Sequence, residues 1–395
     1  MDRSKWEYKK LGEVATFING DRGVNYPSQT DFVEVGIPFV NAGHLTNNKI
    51  DFSSMNYIKR EKYDKLGSGK IRKGDILFCL RGSLGKKAIV DNLEEGAIAS
   101  SLVIIRPSKI DTNFLSYYLE SPSIKREILR SNNGSSQPNL SAKSVSQFVV
   151  TVPQIADQKR IVAELDCLNE MIAVKQEQLK EFDKLAQSIF YDMFGDPLEN
   201  AHGWHCDILA NLVSEDCSIS YGIVQPGDDV EDGVPVVRPV DLTSSVVYRK
   251  GLKVVDKAIS DSYKRTILNG NELLFCVRGT TGIMSFASEE LKGCNVTRGI
   301  TPLSFSEKVD RTYIYYLLAT PYLQSIIAEK TNGIALKQIN MRDVRQLPIL
   351  LPPLSLQQQF AEKISAIEAQ KELVKQSIAE TQQLFNSKMD YYFND

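Results

Sequence analysis

Two glycine-rich loops contain the residues whose types and spacing could do chemistry. The first is Arg81-Gly82-Ser83-Leu84-Gly85, continued by Lys86-Lys87, and the second is Arg278-Gly279-Thr280-Thr281-Gly282, which lacks the lysines. Glycine lets a backbone approach a ligand closely, backbone N–H groups and hydroxyls donate to phosphate oxygens, and the cations neutralise phosphate charge. Both loops are therefore predicted to bind a polyanion. The alternative is a tight turn with a solvated arginine.

A second pair of loops could read nucleobases. Asn133-Gly134-Ser135-Ser136-Gln137-Pro138-Asn139 is rich in amides, and asparagine and glutamine pair bidentately with adenine. Its counterpart in the second half is Asn332-Gly333-Ile334-Ala335-Leu336-Lys337-Gln338. An ordinary asparagine-rich turn is the alternative. Together with Arg238, these loops provide the predicted nucleic-acid-binding residues: Arg81, Ser83, Lys86, Lys87, Asn133, Ser135, Ser136, Gln137, Asn139, Arg238, Arg278, Thr280, Thr281, Lys337 and Gln338.

No catalytic or metal site is predicted. A nucleotide-binding Gly-x-x-x-x-Gly-Lys-Ser/Thr loop is missing, and Asn19–Gly23 is too short for a cofactor-binding turn. The three histidines form no acid–base triad, and the spacing of His202, His205, Cys206 and Cys217 fits no zinc pattern. A duplicated enzyme should show its catalytic groups twice, or one intact and one decayed set. Binding is therefore favoured over catalysis, and no cofactor is expected.

The chain consists of two copies of one unit. Gly36–Asn41 is matched by Gly233–Arg238, and Gly74–Gly85 by Asn271–Gly282. The offset between matched motifs stays between 197 and 199 residues from one end to the other. So constant an offset indicates internal duplication.

Each copy ends in a long helical pattern that must position its loops. The patterns begin near Pro153-x4-Gln158 and Pro352-x4-Gln357, and apolar residues then recur at alternating steps of three and four. This rhythm predicts a coiled coil between the two helices, because a 3.5-residue repeat keeps one face on a partner. The predicted packing residues are Leu165, Leu168, Ile172, Leu179, Phe182, Ile189, Ile364, Ile367, Val374, Ile378 and Phe385.

The globular parts are predicted to be α+β. Short β-branched and aromatic runs at Ile76–Leu80, Ile98–Ile105 and Phe148–Val152 predict strands of a mixed or antiparallel sheet. Short helices are predicted at Phe114–Leu119 and Ser123–Leu129, and again at Tyr313–Ala319 and Tyr322–Ala328. The predicted boundaries are 1–152 for the first globular part, 153–196 for its helix, 197–351 for the second globular part and 352–395 for its helix.

Composition indicates an ordinary cytoplasmic protein with reduced thiols. The 395 residues are 42% hydrophobic and 24% charged, and no apolar run approaches the 18 or so residues that cross a bilayer. No signal peptide and no membrane contact are predicted. The net charge of −2 comes from the helical segments, which carry −4 and −2 and leave +4 on the globular parts. The charge therefore does not exclude a nucleic-acid partner.

These features together resemble the specificity (S) subunit of type I restriction–modification systems. The resemblance rests on the Trp-x4-Leu-Gly start, the Gly-Asp-Ile-Leu…Arg-Gly-x-x-Gly block, the Gly-Ser-Ser-Gln-Pro-Asn-Leu-Ser loop and the Pro-x4-Gln helix start, arranged twice. It implies two target recognition domains, each reading half of a split site in double-stranded DNA, on an antiparallel helical spacer with pseudo-twofold symmetry. It also implies two methyltransferase (M) subunits and translocating restriction (R) subunits as partners. The second copy departs from the pattern, because Ile-Ala-Leu-Lys replaces Ser-Ser-Gln.

Two other functions remain open at this stage. One is a coiled-coil scaffold that does not bind DNA, which would show no salt-dependent binding to random duplexes. The other is a recognition subunit of a fused, type IIG-like methyltransferase–nuclease.

Overall fold

A computed structural model describes residues 3, 6–131, 138–333 and 336–394. The chain divides into two compact units: unit 1 contains Met1–Gln176 and Lys375–Asp395, and unit 2 contains Glu177–Val374. This division differs from the predicted boundaries, which set the helices apart. Each unit instead combines one globular part with a piece of both long helices.

Unit 1 is built mainly from short strands. The strands are β1 (Glu7–Lys10), β2 (Ala15–Asn19), β3 (Phe32–Val33), β4 (Ile37–Val40), β5 (Leu45–Thr46), β6 (Lys49–Ile50), β7 (Asn56–Ile58), β8 (Lys70–Ile71), β9 (Ile76–Cys79), β10 (Lys87–Ile89), β11 (Gly96–Ile98), β12 (Leu102–Pro107) and β13 (Val149–Val152). The helices are α1 (Leu11–Val14), α2 (Arg60–Asp64), α3 (Thr112–Glu120), α4 (Pro122–Arg130), α5 (Ala142–Ser146) and α6 (Ile155–Phe194), of which α6 continues into unit 2.

Unit 2 has a similar order of elements. Its strands are β14 (His205–Ile208), β15 (Val234–Val237), β16 (Val246–Val247), β17 (Lys253–Val255), β18 (Leu273–Cys276), β19 (Met284–Ala287), β20 (Asn295–Val296), β21 (Ile300–Leu303), β22 (Thr331–Asn332), β23 (Gln338–Ile339) and β24 (Pro348–Leu351). Its helices are α7 (Lys257–Asp261), α8 (Arg311–Leu318), α9 (Pro321–Glu329), α10 (Met341–Arg345) and α11 (Leu354–Phe393), of which α11 continues into unit 1.

The sheets are mixed or antiparallel, as predicted, and the main ones recur in both units. Unit 1 has sheets in the orders β10-β9-β12-β2 and β3-β7-β4-β11-β8, and unit 2 has the orders β16-β19-β18-β21 and β17-β15-β20. The central strands β9 and β18 are fully buried and pair antiparallel with β12 and β21. In each unit a further strand pair, β1 with β13 and β14 with β24, joins the start of the globular part to its end.

The two long helices pack antiparallel within each unit. In unit 1, Lys175 of α6 donates to Ser377 Oγ at 2.7 Å and to Thr381 Oγ1 at 2.9 Å on α11. Glu164, which precedes Lys175 on α6, pairs at 2.6 Å with Lys388, which follows Thr381 on α11. The residue number therefore falls on one helix as it rises on the other. The end of α11 completes the core of unit 1, since Met389, Tyr392 and Phe393 pack with Phe114 and Leu165.

Unit 2 repeats the arrangement with the opposite ends of the helices. Lys371 donates to Asp183 at 2.8 Å and to Glu368 at 2.6 Å. Phe190 and Phe194 pack edge-on against Phe360 with ring centroids 5.7 and 5.3 Å apart. Of the predicted packing residues, Leu165, Leu168, Ile172, Ile364 and Ile367 are buried, and Leu179, Phe182, Ile189, Val374, Ile378 and Phe385 are partly buried.

A buried glutamine fixes the start of each long helix, which explains the Pro-x4-Gln pattern. Gln158 donates to the Pro153 carbonyl at 2.7 Å and accepts from the Asp111 N–H at 2.7 Å. Gln357 makes the same two bonds, to Pro352 and from Asp310, both at 2.9 Å. Asp111 and Asp310 in turn cap α3 and α8. The amide therefore joins the start of the long helix to the globular part of the same unit.

One predicted strand was wrong. Ile98–Ile105 is divided into β11 and β12, which belong to different sheets. The chain turns at Ala99–Ser101, where the Leu102 N–H donates to the Ala99 carbonyl at 3.0 Å. The four helices predicted after this point are confirmed as α3, α4, α8 and α9, with slightly different ends.

Candidate nucleic-acid interface

The two loops predicted separately in the first half lie side by side. Arg81 and Asn139 form an antiparallel bridge. The Gly82 N–H donates to the Pro138 carbonyl at 3.1 Å, and the Leu140 N–H donates to the Leu80 carbonyl at 2.8 Å. The arginine–glycine loop and the end of the amide loop therefore form one surface at the end of β9.

Unit 2 builds the same junction with different side chains. Arg278 and Gln338 form the equivalent bridge. The Gly279 N–H donates to the Lys337 carbonyl at 2.8 Å, and the Ile339 N–H donates to the Val277 carbonyl at 3.0 Å. An arginine and an amide are thus juxtaposed twice.

The glycines in these loops are required by the backbone. Gly82 and Gly85 have φ of 80° and 79°, and Gly279 and Gly282 have φ of 90° and 87°. These left-handed values disfavour other residues.

A buried thiol supports each loop from behind. Cys79 donates to the Arg81 carbonyl at 3.0 Å, and Cys276 donates to the Arg278 carbonyl at 3.3 Å. Burial raises the pKa of both thiols, which favours the protonated, donating form.

In unit 1 most of the described candidate residues are accessible. Arg81, Ser83 and Asn139 are exposed, and Lys86 is partly buried with its ammonium donating to the Ala42 carbonyl at 3.2 Å. The candidates Asn133, Ser135, Ser136 and Gln137 lie outside the described residues.

The prediction of Lys87 as a phosphate-binding residue was wrong. Its side chain is 2% exposed, and its ammonium donates to Ser116 Oγ at 2.6 Å and pairs with Glu120 at 2.8 Å. Burial lowers the pKa of Lys87, partly offset by Glu120. The charge is already compensated inside the unit and is not available to a phosphate.

In unit 2 the candidate residues differ in exposure and in whether another residue of the unit already binds them. Lys337 and Thr280 are exposed, whereas Thr281 accepts a hydrogen bond from Thr331 at 3.1 Å. Arg238 donates to both carboxylate oxygens of Asp241, at 3.1 and 2.9 Å, which occupies its charge. Arg278 has a buried Nε for which no hydrogen-bond partner is found among the described residues.

Sequence reasoning missed two residues at this surface. Gln338 donates to the hydroxyl of Tyr221 at 3.1 Å, and the guanidinium of Arg298 lies 5.6 Å from the centroid of the Tyr221 ring. A comparison of the two copies could have found Arg298, because the corresponding turn in the first copy is Ala99-Ser100-Ser101, without a cation. Tyr221 gives no such local signal, since its contacts lie far away in sequence.

In the described part of the chain, no group of three or more histidine, cysteine, aspartate or glutamate residues could hold a metal ion. Among the same residues, no helix is long and apolar enough to span a membrane.

Comparisons with known proteins identify relatives of the whole arrangement. The family model for the type I restriction modification DNA specificity domain matches residues 3–182 and 225–383. The EcoBI specificity subunit of Escherichia coli is 21% identical, over 61% of this chain and 56% of its own length. The chain thus spans little more than half of that relative. The putative MjaX specificity subunit of Methanocaldococcus jannaschii is 24% identical, over 92% of this chain and 87% of its own length.

Solved structures share the fold. A chain from work on the "complex assembly" and "conformational transition of the type I R-M system" has a TM-score of 0.63 at 20% identity and covers 98% of this chain and 97% of its own. The type I restriction–modification S subunit from M. genitalium has a TM-score of 0.55 at 14% identity and covers 99% of this chain and 96% of its own.

Proposed function

This chain belongs to the type I restriction modification DNA specificity family, and we propose that it is the subunit that selects the DNA target of such a system. It reads a bipartite site in double-stranded DNA, one half-site per unit. It does no chemistry itself, and methyltransferase and restriction subunits act on the DNA that it selects.

The observation that supports this proposal best is the repeated junction of arginine and amide. Arg81 meets Asn139 in unit 1, and Arg278 meets Gln338 in unit 2, on equivalent strands. Arginine and the backbone N–H groups of a glycine loop suit phosphate, and asparagine and glutamine suit adenine edges. Because the frame is shared and the amide-loop residues differ, each unit would bind a duplex in a similar way and prefer a different sequence.

Selection from a random duplex library with the full chain and its methyltransferase tests the proposal. We expect a split consensus with a fixed unread spacer. Replacing residues 1–152 by the equivalent part of another family member should change one half of the consensus and leave the other intact. Absence of any consensus, or a change in both halves, would contradict the proposed reading.

The Arg81→Ala variant tests the phosphate contact. We expect weaker binding to every duplex, with the slope of log K against log salt reduced by about one. The matched control is Arg130→Ala, an exposed arginine of the same unit that pairs with Glu127. An unchanged slope in Arg81→Ala would assign that loop a purely structural role.

A further inference from the structure

Arg298 is held in a fixed place at the edge of unit 2. Its guanidinium lies over the ring of Tyr221, 5.6 Å from the centroid, and the Tyr221 hydroxyl accepts from Gln338 Nε2 at 3.1 Å. A cation over an aromatic face is attracted by the ring quadrupole, and the ring also limits the orientations of the planar guanidinium. Arg298, Tyr221 and Gln338 therefore form a connected row of side chains.

The backbone around this row is fixed by close approach. The Arg298 N–H donates to the Ile223 carbonyl at 2.7 Å, and the Ile223 N–H donates to the Val296 carbonyl at 2.9 Å. A Cβ on Gly222 would lie 2.2 Å from the Val296 carbonyl oxygen, and one on Gly299 would lie 2.4 Å from Pro239 Cγ. The segments that carry Tyr221 and Arg298 thus pack too tightly for either side chain to be displaced by a simple backbone shift.

Among the described residues of unit 2, no carboxylate pairs with Arg298. Its guanidinium has no hydrogen bond or ion pair within the described ranges, and it lies over the Tyr221 ring. By contrast, Arg238 of the same unit binds the Asp241 carboxylate, and Arg345 donates to the Ile219 carbonyl. Arg298 therefore keeps all five donors for an external acceptor.

The equivalent place in unit 1 has no such group. Leu102 and Ile300 occupy the same register against Cys79 and Cys276, so Ser100 is the counterpart of Arg298. The Ser100 N–H donates to the Tyr26 hydroxyl at 3.4 Å. The row formed by Arg298, Tyr221 and Gln338 is thus a property of unit 2, next to the bridge between Arg278 and Gln338.

We propose that Arg298 selects a guanine in the half-site read by unit 2, and that Tyr221 positions its guanidinium. This inference rests on the proposed function. Two parallel N–H groups of arginine match O6 and N7 of guanine in the major groove, and the contact requires a defined plane of the fork. The ring of Tyr221 provides that plane, and the glycine loop beside it already offers the donors that suit phosphate.

The test compares consensus sequences selected by the full chain and its methyltransferase. The half-site read by unit 2 is the one that stays unchanged when residues 1–152 are replaced. At one base pair of that half-site, we expect the unmodified chain to prefer G·C by about 5- to 150-fold and Arg298→Ala to lose this preference. The other half-site and the salt slope should stay as in the unmodified chain. Arg298→Lys should reduce the same preference, because lysine keeps the charge but lacks the planar fork that Tyr221 orients.

Variants of Tyr221 separate a positioning role from a structural one. Tyr221→Ala should weaken discrimination at the same base pair, and Tyr221→Phe, which keeps the ring, should largely restore it. Arg249→Ala, at an exposed arginine of the same unit, is the matched control and should leave the consensus unchanged.

Each remaining outcome counts against the inference. Equal weakening on all duplexes with a reduced salt slope would identify a phosphate contact and overturn it, as would an unchanged consensus in a folded Arg298→Ala protein. If Arg298→Ala does not fold, Arg298→Lys decides alone. A full chain with no consensus at all would refute the proposed function, whereas a consensus that ignores Arg298 would refute this inference only.

Discussion

Units 1 and 2 place the same pair of loops on equivalent strands, but different side chains pack beside those loops. The strand pairing makes Lys87 and Met284 equivalent, since they face Phe78 and Phe275. In unit 1 the buried Lys87 is paired with Glu120 from the end of α3. Counting from the caps of α3 and α8, the counterpart of Glu120 is the exposed Ala319, so unit 2 has apolar residues at the two positions where unit 1 has an ion pair.

A cavity shows a second difference. In unit 1 a cavity of about 430 Å³ lies beside the arginine–glycine loop and is lined by Gly85, Leu119, Lys125, Ile128 and other residues. In unit 2 the counterpart of Lys125 is Gln324, which donates to the Gly282 carbonyl at 3.2 Å and to the Leu318 carbonyl at 2.8 Å. The strands and glycines that position the loops are therefore shared by the two units, whereas the side chains that pack beside the loops differ.

The largest effect should come from removing one half of the charged pair. Glu120→Ala leaves the Lys87 ammonium buried without its carboxylate and should lower the free energy of unfolding of unit 1 by about 3 kcal/mol. Urea denaturation can report on unit 1 alone through Trp6 fluorescence if Trp204, in unit 2, is replaced by Phe.

The double variant Lys87→Met with Glu120→Ala copies unit 2 and serves as the control. It should be close to neutral, because an apolar pair of suitable volume can replace a buried ion pair. Equal destabilisation by the single and the double variant would show that the two fillings are not interchangeable.

Next in size are the glutamines that the two units share. Gln357→Ala leaves the Asp310 N–H and the Pro352 carbonyl without their partner, which should cost unit 2 about 2 kcal/mol. Gln158→Ala should lower the free energy of unfolding of unit 1 by a similar amount. Urea denaturation measures both, with Trp6 fluorescence reporting on unit 1 and Trp204 fluorescence on unit 2. The exposed Gln358→Ala is the control. Clearly unequal costs would break the equivalence of the two helix starts.

A smaller effect is expected at Gln324, whose counterpart in unit 1, Lys125, lines the cavity. Gln324→Lys removes two hydrogen bonds and should destabilise unit 2 by about 1 kcal/mol. The reciprocal Lys125→Gln can donate to the Gly85 and Leu119 carbonyls and should stabilise unit 1 slightly. Thermal melting of both variants checks this, and a stabilised Gln324→Lys protein would argue against the assigned role.

The smallest effect concerns acid stability. Lys388, with Tyr392, lowers the pKa of Glu164 in unit 1, whereas the counterpart in unit 2 is Lys363. Since the folded pKa lies below the unfolded one, this stabilisation is fully present above about pH 4.5 and is lost as the pH falls through the folded value. Glu164→Gln should therefore flatten the acid limb of the unit 1 stability curve. An unchanged limb would show that other carboxylates dominate it.

The sequence was sufficient for the features that repeat. The duplication, the long helices and the short helices after β12 and β21 follow from periodicity and from the constant offset, and the structure agrees with them. Periodicity works here because burial of one helix face imposes it over many turns.

Features that depend on a distant partner could not be predicted. Lys86 and Lys87 are the same residue type, yet only Lys87 is buried, because Lys87 opens β10 with its side chain directed inward, where Glu120 from α3 meets it. The segment Ile98–Ile105 contains no glycine or proline that would have predicted the break between β11 and β12. The contact between Tyr221 and Arg298 joins segments far apart in the chain, and local pattern carries no information about such pairs.

The division of the long helices between the units has a consequence for folding during synthesis. Unit 2 is one uninterrupted segment, Glu177–Val374, and every residue of it is synthesised before Lys375–Asp395. The core of unit 1 needs that late segment, since Phe393 packs on Phe114 with ring centroids 5.2 Å apart and its carbonyl accepts from Ser123 at 3.1 Å. The globular part made first is therefore the last to close. Until then its apolar surface around Phe114 stays open to chaperones, to aggregation and to helices from other chains.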